Sequence, residues 1–153
     1  MFETIVIATD GSESVSRAVG VALDIADRFD ATVHALYVVD SGEVESSPDA
    51  VREDLRDALD AQGREALDEV RERAAETVAI DVEGTVREGR PAAEIAAYAR
   101  EVDADCVATG TRGRHGENRF LIGSVAERVV RTCPVPVLTV RQLTGEDPRR
   151  TTI

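Results

Sequence analysis

The chain predicts a doubly wound α/β fold, a five-stranded parallel sheet with helices on both faces. Three observations predict it. Short apolar, largely β-branched runs recur at residues 4–9, 32–39, 78–86, 105–109 and 137–140. Apolar residues at helical spacing fill most of the segments between them. Strands joined by helices of ten or more residues form a mainly parallel sheet covered on both sides. Fold logic makes strands one and four neighbours where the strand order reverses, in the order 3-2-1-4-5.

The first run, residues 4–9, reads as a strand buried on both faces. Asp10-Gly11-Ser12 is a turn, with Ser12 or Ser14 placed to cap the next helix. Val15, Ala18, Val19, Ala22, Ala26 and Phe29 then repeat at helical spacing. Strand two covers 32–39. Residues 40–49 hold Gly42, several serines and Pro48, the composition of a mobile loop, with Asp40 as a surface charge.

Residues 50–77 are helical and highly charged, with Leu55, Leu59, Ala66, Val70 and Ala74 as the apolar stripe. Gly63 inside this helix weakens it by about 1 kcal/mol relative to Ala. Strand three, 78–86, is interrupted by Gly84 and stopped at Gly89-Arg90-Pro91. Pro91 suits the first turn of a helix carrying Ile95, Ala99 and Val102. Strand four spans 105–109, and a glycine-rich connection fills 110–123. A short helix follows over 125–131, ended by Pro134 and Pro136, and strand five is Val137–Val140. Residues 1–141 form one domain, and 142–153 are a polar, frayed tail.

Thirty acidic and 18 basic side chains leave a net charge of −12. Every basic residue is Arg, and Lys is absent. This acidic field opposes binding to nucleic acid and to anionic membranes. It fits an ordinary acidic protein, or, because Lys is missing and aromatics are few, a protein adapted to high salt that screens the repulsion. Cys106 and Cys133 have neither redox-pair nor metal-cluster spacing and read as inert thiols. The first residues lack a basic leader and no apolar run is of membrane-spanning length, so the expected compartment is the cytoplasm.

The connection after strand four carries the clearest chemistry. Gly110 and Gly113 bracket Thr111-Arg112, and nine residues later Gly123-Ser124 opens a helix. Glycines there admit close approach of an anion, and the first N–H groups of a helix lack internal partners. Such a segment is either a tight turn or a phosphate cradle, with Arg112 or Arg114 as a further donor. It is not a Walker A loop, which needs Lys, and Gly11 alone after strand one cannot make a dinucleotide fingerprint. Asp10 suits a divalent cation held jointly with phosphate, since one carboxylate does not make a site alone. Ser124 has no evident His/Asp partner. His34 reads as a structural residue and His115 as an exposed loop residue.

With these residues in view, the chain resembles the universal stress protein (UspA) family over nearly all of residues 2–141, and within it the ATP-binding subgroup. Gly110, Gly113, Gly123 and Ser124 match that subgroup's spacing in full. The run from Ile5 to Ser12 and the run Cys133-Pro134-Val135-Pro136-Val137-Leu138 are also typical. The resemblance implies a Rossmann-like domain that binds ATP, with Mg²⁺ or Mn²⁺, as a stress-response regulator. It places Asp10 near the ribose and metal, the backbone of Val39 against adenine, and Ala8 and Val125 among the contacts. Thr109 stands where some binders have Met. Arg112 stands where Ser or His is common, either helping with phosphates or blocking the mouth. A homodimer through Val137–Val140 and a salt-adapted archaeal source are also implied, with the protein partner unknown. Two rival readings remain: a nucleotide-independent dimeric interaction protein, and a slow ATP hydrolase.

Overall fold

The computed structural model describes residues 1–112 and 122–143. Strands β1 (Thr4–Ala8), β2 (Thr32–Asp40), β3 (Val82–Gly89), β4 (Cys106–Gly110) and β5 (Val137–Val140) form one sheet in the order β3-β2-β1-β4-β5. All four pairings are parallel, as the sequence predicts. The helices are α1 (Ser16–Phe29), α2 (Ser41–Glu45), α3 (Arg52–Thr77), α4 (Pro91–Glu101) and α5 (Ser124–Thr132). The period-two alternation of a strand divides the core between the two faces. Ile5, Ile7, Val33, Ala35 and Tyr37 pack with residues of α1 and α3 on one side. Val6, Leu36 and Val107 pack with Ile95, Tyr98 and Val129 of α4 and α5 on the other.

Local chemistry sets most element ends. The Asp105 carboxylate accepts the N–H groups of Glu3 (2.8 Å) and Thr4 (2.9 Å), tying the start of β1 to β4. α1 ends at Asp30, which takes a left-handed φ of 54° and returns its N–H to Ala26 and Asp27. Pro91 occupies the start of α4, where its missing N–H costs nothing.

Several expectations are corrected. β1 stops at Ala8 and β2 runs on to Asp40. β4 spans Cys106–Gly110, and α5 starts one residue earlier than its apolar pattern suggests. Neither Ser12 nor Ser14 caps α1; a 3-10 turn, Glu13–Val15, leads into it, and Ser12 bonds to Asp10 instead. Phe29 is about half exposed, its ring edge-on to Phe2 at 5.2 Å. The stretch 40–49 is not a bare loop. Asp40 Oδ1 accepts the Gly42 N–H (2.9 Å) and caps α2, whose Val44 is fully buried. Arg52 binds the carbonyls of Glu45 (2.8 Å) and Ser47 (3.0 Å) from the other side.

β3 lies later than its apolar run suggests. Ala79 turns at φ 54°, and only Val82–Gly89 pairs with β2. Gly84 fits rather than interrupts it, since a Cβ there would lie 2.6 Å from the Arg71 guanidinium. Gly63 follows the same logic. A Cβ would sit 2.6 Å from the Tyr37 ring, so the glycine lets α3 close onto the sheet. No helix among the described residues is long and apolar enough to cross a membrane.

Candidate functional site

β1 and β4 pair in register from Ile5 with Cys106 to Ile7 with Ala108, so their C-terminal ends emerge side by side. The strand order reverses there, one strand running outward through β2 and the other through β5. In a doubly wound sheet this leaves a crevice between the diverging connections. A cleft of about 640 Å³ occupies it. Its apolar floor includes Ala8, Leu36, Val38 and Ile95, and Pro91 stands at its side. Asp40 and the residues Gly42, Glu43 and Ser46 form the wall supplied by α2 and the turn after it. Thr109, Gly110, Arg112, Gly123, Ser124 and Val125 form the opposite wall.

The turn after β1 satisfies itself. Asp10 Oδ1 accepts the Ser12 N–H (2.9 Å) and the Ser12 hydroxyl (2.6 Å). Gly11 takes φ 76°, a left-handed value that glycine adopts without strain, and donates its N–H to Thr9 Oγ1 (3.1 Å). This is an Asx turn, with the aspartate standing in for a backbone carbonyl. Asp10 faces the cleft with one carboxylate oxygen already engaged.

The connection after β4 is built otherwise. The Gly123 N–H donates to the Thr111 carbonyl, which joins the two ends of the connection. That bond uses the Gly123 donor, so the N–H groups left for a ligand begin at Ser124. Gly123 is the N-cap of α5, and no side chain caps the helix. The first hydrogen bond of the helix runs from the Glu127 N–H to the Gly123 carbonyl (2.9 Å). The N–H groups of Ser124 and Val125 therefore have no intrahelical acceptor, and they lie at the cleft. Arg112 lines the same wall, and its Nε is buried with no hydrogen-bond acceptor among the described residues. A buried donor of this kind carries a desolvation cost of about 1–3 kcal/mol until something accepts it. Both features suit an anion, and phosphate in particular.

Ala8, Asp10, Thr109, Gly110, Arg112, Gly123, Ser124 and Val125 thus come together as the sequence suggests. Val39 does not line the cleft. Its side chain packs in the core of the opposite sheet face, while Val38 and Asp40 face the cleft. The strand period that places Val39 inward places its neighbours outward, a signal present in the sequence. Gly113, Arg114 and His115 lie outside the described residues. Thr109 is buried, its hydroxyl donating to the Gly110 carbonyl (3.3 Å). Among the described residues no group of three or more His, Cys, Asp or Glu is assembled to hold a metal ion.

The remaining candidates lie elsewhere. His34 Nδ1 sits 3.1 Å from the Tyr98 hydroxyl and 3.3 Å from a Glu83 carboxylate oxygen, under α4. Cys106 is buried in β4, and that burial pushes its thiol pKa up, away from reactive thiolate. Cys133 is half-buried just after α5.

Comparison with known proteins agrees with this architecture. The sequence model of the universal stress protein family matches residues 1–141. A universal stress protein of Methanocaldococcus jannaschii is 39% identical over 143 residues, covering 93% of this chain and 84% of its own length. The solved structure of universal stress protein UspA from Lactobacillus plantarum superposes with a TM-score of 0.77 at 30% identity, covering 92% of this chain and 98% of that one. A universal stress protein crystallised in complex with cAMP superposes with a TM-score of 0.71 at 28% identity, covering 93% and 98%.

Proposed function

The chain belongs to the universal stress protein family, and from that footing we propose that it binds ATP in the cleft at the end of β1 and β4. One observation carries the reading: among the described residues, Arg112 Nε is buried without an acceptor beside the uncapped start of α5. The phosphates lie against Arg112 and the N–H groups of Ser124 and Val125. The adenine rests on the apolar floor of Leu36, Val38 and Ile95, beside the backbone of Val39, with Thr109 and Gly110 below. Gly113 completes the cradle by analogy with the family's motif. Asp10 lies on the ribose side, and the carboxylate oxygen not held by Ser12 meets Mg²⁺ or Mn²⁺ shared with the phosphates. The relative crystallised in complex with cAMP supports an adenine nucleotide as the ligand class.

The protein acts as a nucleotide-dependent regulator in a stress response, not primarily as a catalyst. Occupancy is transmitted through α2, whose Gly42 and Glu43 face the same cleft. Two copies pair through the edge strand β5, whose one neighbour among the described residues is β4. The acidic, Lys-free composition supports working conditions at high salt. A nucleotide-independent interaction protein is the second reading, favoured by the three carboxylates of Asp10, Asp40 and Glu43 in the cleft wall.

The test is native mass spectrometry of protein purified without added ligand, then calorimetric titration with ATP and AMP in high salt, with and without Mg²⁺. The expected result is one adenine nucleotide per chain, tighter with Mg²⁺ for ATP, and little turnover. A chain that binds no adenine nucleotide at any salt concentration is the interaction protein instead.

A further inference from the structure

We propose that Arg112 is the residue that sets the charge class of the ligand, making the cleft select a nucleotide with a free, doubly charged phosphate over a nucleoside or a singly charged cyclic phosphodiester. This rests on the nucleotide reading of the cleft and adds to it the group that discriminates among adenine ligands.

The cleft is electrostatically unfavourable for the ligand it is shaped to hold. Asp10, Asp40 and Glu43 line it, on a chain of net charge −12. Among the described residues that line it, Arg112 is the one basic side chain. Among the described residues, an incoming phosphate meets the carboxylates of Asp10 and Asp40 and the Arg112 guanidinium. Charges at ordinary separations interact strongly when partly shielded from water, so without a cationic partner a phosphate gains little over a neutral ligand. The guanidinium is also placed to bond as well as to attract. It lies two residues beyond the end of β4, and the bond from the Gly123 N–H to the Thr111 carbonyl holds that segment against the start of α5. Its Nε is already stripped of water and has no acceptor among the described residues. The desolvation cost is therefore borne in the free protein, and a ligand oxygen relieves it on binding.

A nucleoside offers no anionic oxygen and leaves the Nε unsatisfied. A cyclic phosphodiester offers one negative charge, and a terminal phosphate offers two near neutral pH. The guanidinium fork matches a phosphate edge with two parallel N–H···O bonds, which an ammonium group cannot reproduce. The remaining donors at the α5 terminus are fixed backbone groups and do not change with the side chain at position 112.

The experiment compares adenosine, cAMP and AMP on the parent protein, R112K and R112M, by calorimetry at one fixed salt concentration in EDTA. Chelation prevents a divalent cation from replacing the guanidinium. In the parent, AMP binds about tenfold to a hundredfold tighter than adenosine, the range for a hydrogen bond to a charged group, with cAMP between them. In R112M the three ligands converge to within about threefold, and adenosine binds as in the parent. R112K keeps the order of the three and narrows the spread. Thermal unfolding without ligand reports whether each variant is folded. If R112M is folded and keeps the parent's ratio of AMP to adenosine affinity, the assignment of selectivity to Arg112 is overturned while the nucleotide site stands. If the parent binds none of the three ligands, the nucleotide site fails and this assignment fails with it.

Discussion

In the turn after β1, Asp10, Ser12, Gly11 and Thr9 satisfy one another through three hydrogen bonds of 2.6–3.1 Å. Among the described residues of the connection after β4, a backbone bond joins Thr111 to Gly123, the N-cap offers no side chain, and Arg112 Nε is left without an acceptor. The two turns follow neighbouring strands and emerge side by side at the C-terminal end of the sheet. A turn that closes on its own side chains adds stability to the free protein. A turn that leaves donors open forgoes that stability and gains it back only from a ligand. The contrast separates the part of the site that builds the cleft from the part that reads what enters it.

The largest expected effect comes from the place where the two turns touch. A Cβ on Gly110 would lie 3.0 Å from the Ser14 carbonyl oxygen and 3.4 Å from the Val15 Cα. Both are backbone atoms, which do not swing aside. Gly110→Val should cost about 1–3 kcal/mol in urea unfolding at high salt and should abolish nucleotide binding. A variant as stable as the parent would show that the two turns are not in close contact.

The next effect tests the contrast itself through its sign. Asp10→Ala removes the acceptor of two bonds in the closed turn and should destabilise the ligand-free protein by about 1–2 kcal/mol. Arg112→Met removes a buried donor that has no acceptor among the described residues, so the ligand-free protein should be no less stable than the parent. Equal losses in the two variants, measured by the same unfolding experiment, would erase the distinction drawn between the turns.

The smallest effect lies at the opposite end of the same two strands. The backbone N–H groups of Glu3 and Thr4 hold the Asp105 carboxyl below the usual carboxylate range. A carboxyl whose folded pKa is depressed contributes stability that is fully present above its unfolded pKa, near 4 for aspartate, and is lost as the pH falls through the folded value. Asp105→Asn should therefore be slightly less stable than the parent at neutral pH, and the two curves should approach each other as the medium becomes acid. A gap that stays constant between neutral pH and pH 3 would mean that the carboxylate charge is irrelevant to the β1–β4 tie.

Much of this was readable from one dimension. The alternation of apolar runs and helical periods carries the fold, because burial on both faces of a parallel sheet demands continuous β-branched segments. The spacing of Gly110, Gly123 and Ser124 carries the site, because a strand-to-helix junction with small residues exposes backbone donors wherever it occurs. Element ends were less readable. Val78 and Ile80 look like strand residues, yet the strand starts at Val82, since pairing with β2 and not local apolarity decides where a ladder begins. The same holds for α2, where a polar, glycine-containing stretch folds because Asp40 caps it and Val44 is buried against the core.

Sequence by itself determined the fold class, the strand order by way of fold logic, and the neighbourhood of the cleft, because each depends on patterns that repeat along the chain. Only the tertiary structure decided which polar groups were already satisfied. Asp10 reads as a metal ligand in the sequence and is found with one oxygen bonded to Ser12. Arg112 reads as either a phosphate donor or an obstruction, and its Nε is found dry in the cleft wall, with no acceptor among the described residues. Gly63 reads as a flaw in a helix and is found to be the space into which Tyr37 packs. The physical reason is common to the three. Propensity and motif belong to the local chain, whereas desolvation, hydrogen-bond satisfaction and steric fit depend on residues brought close only by folding.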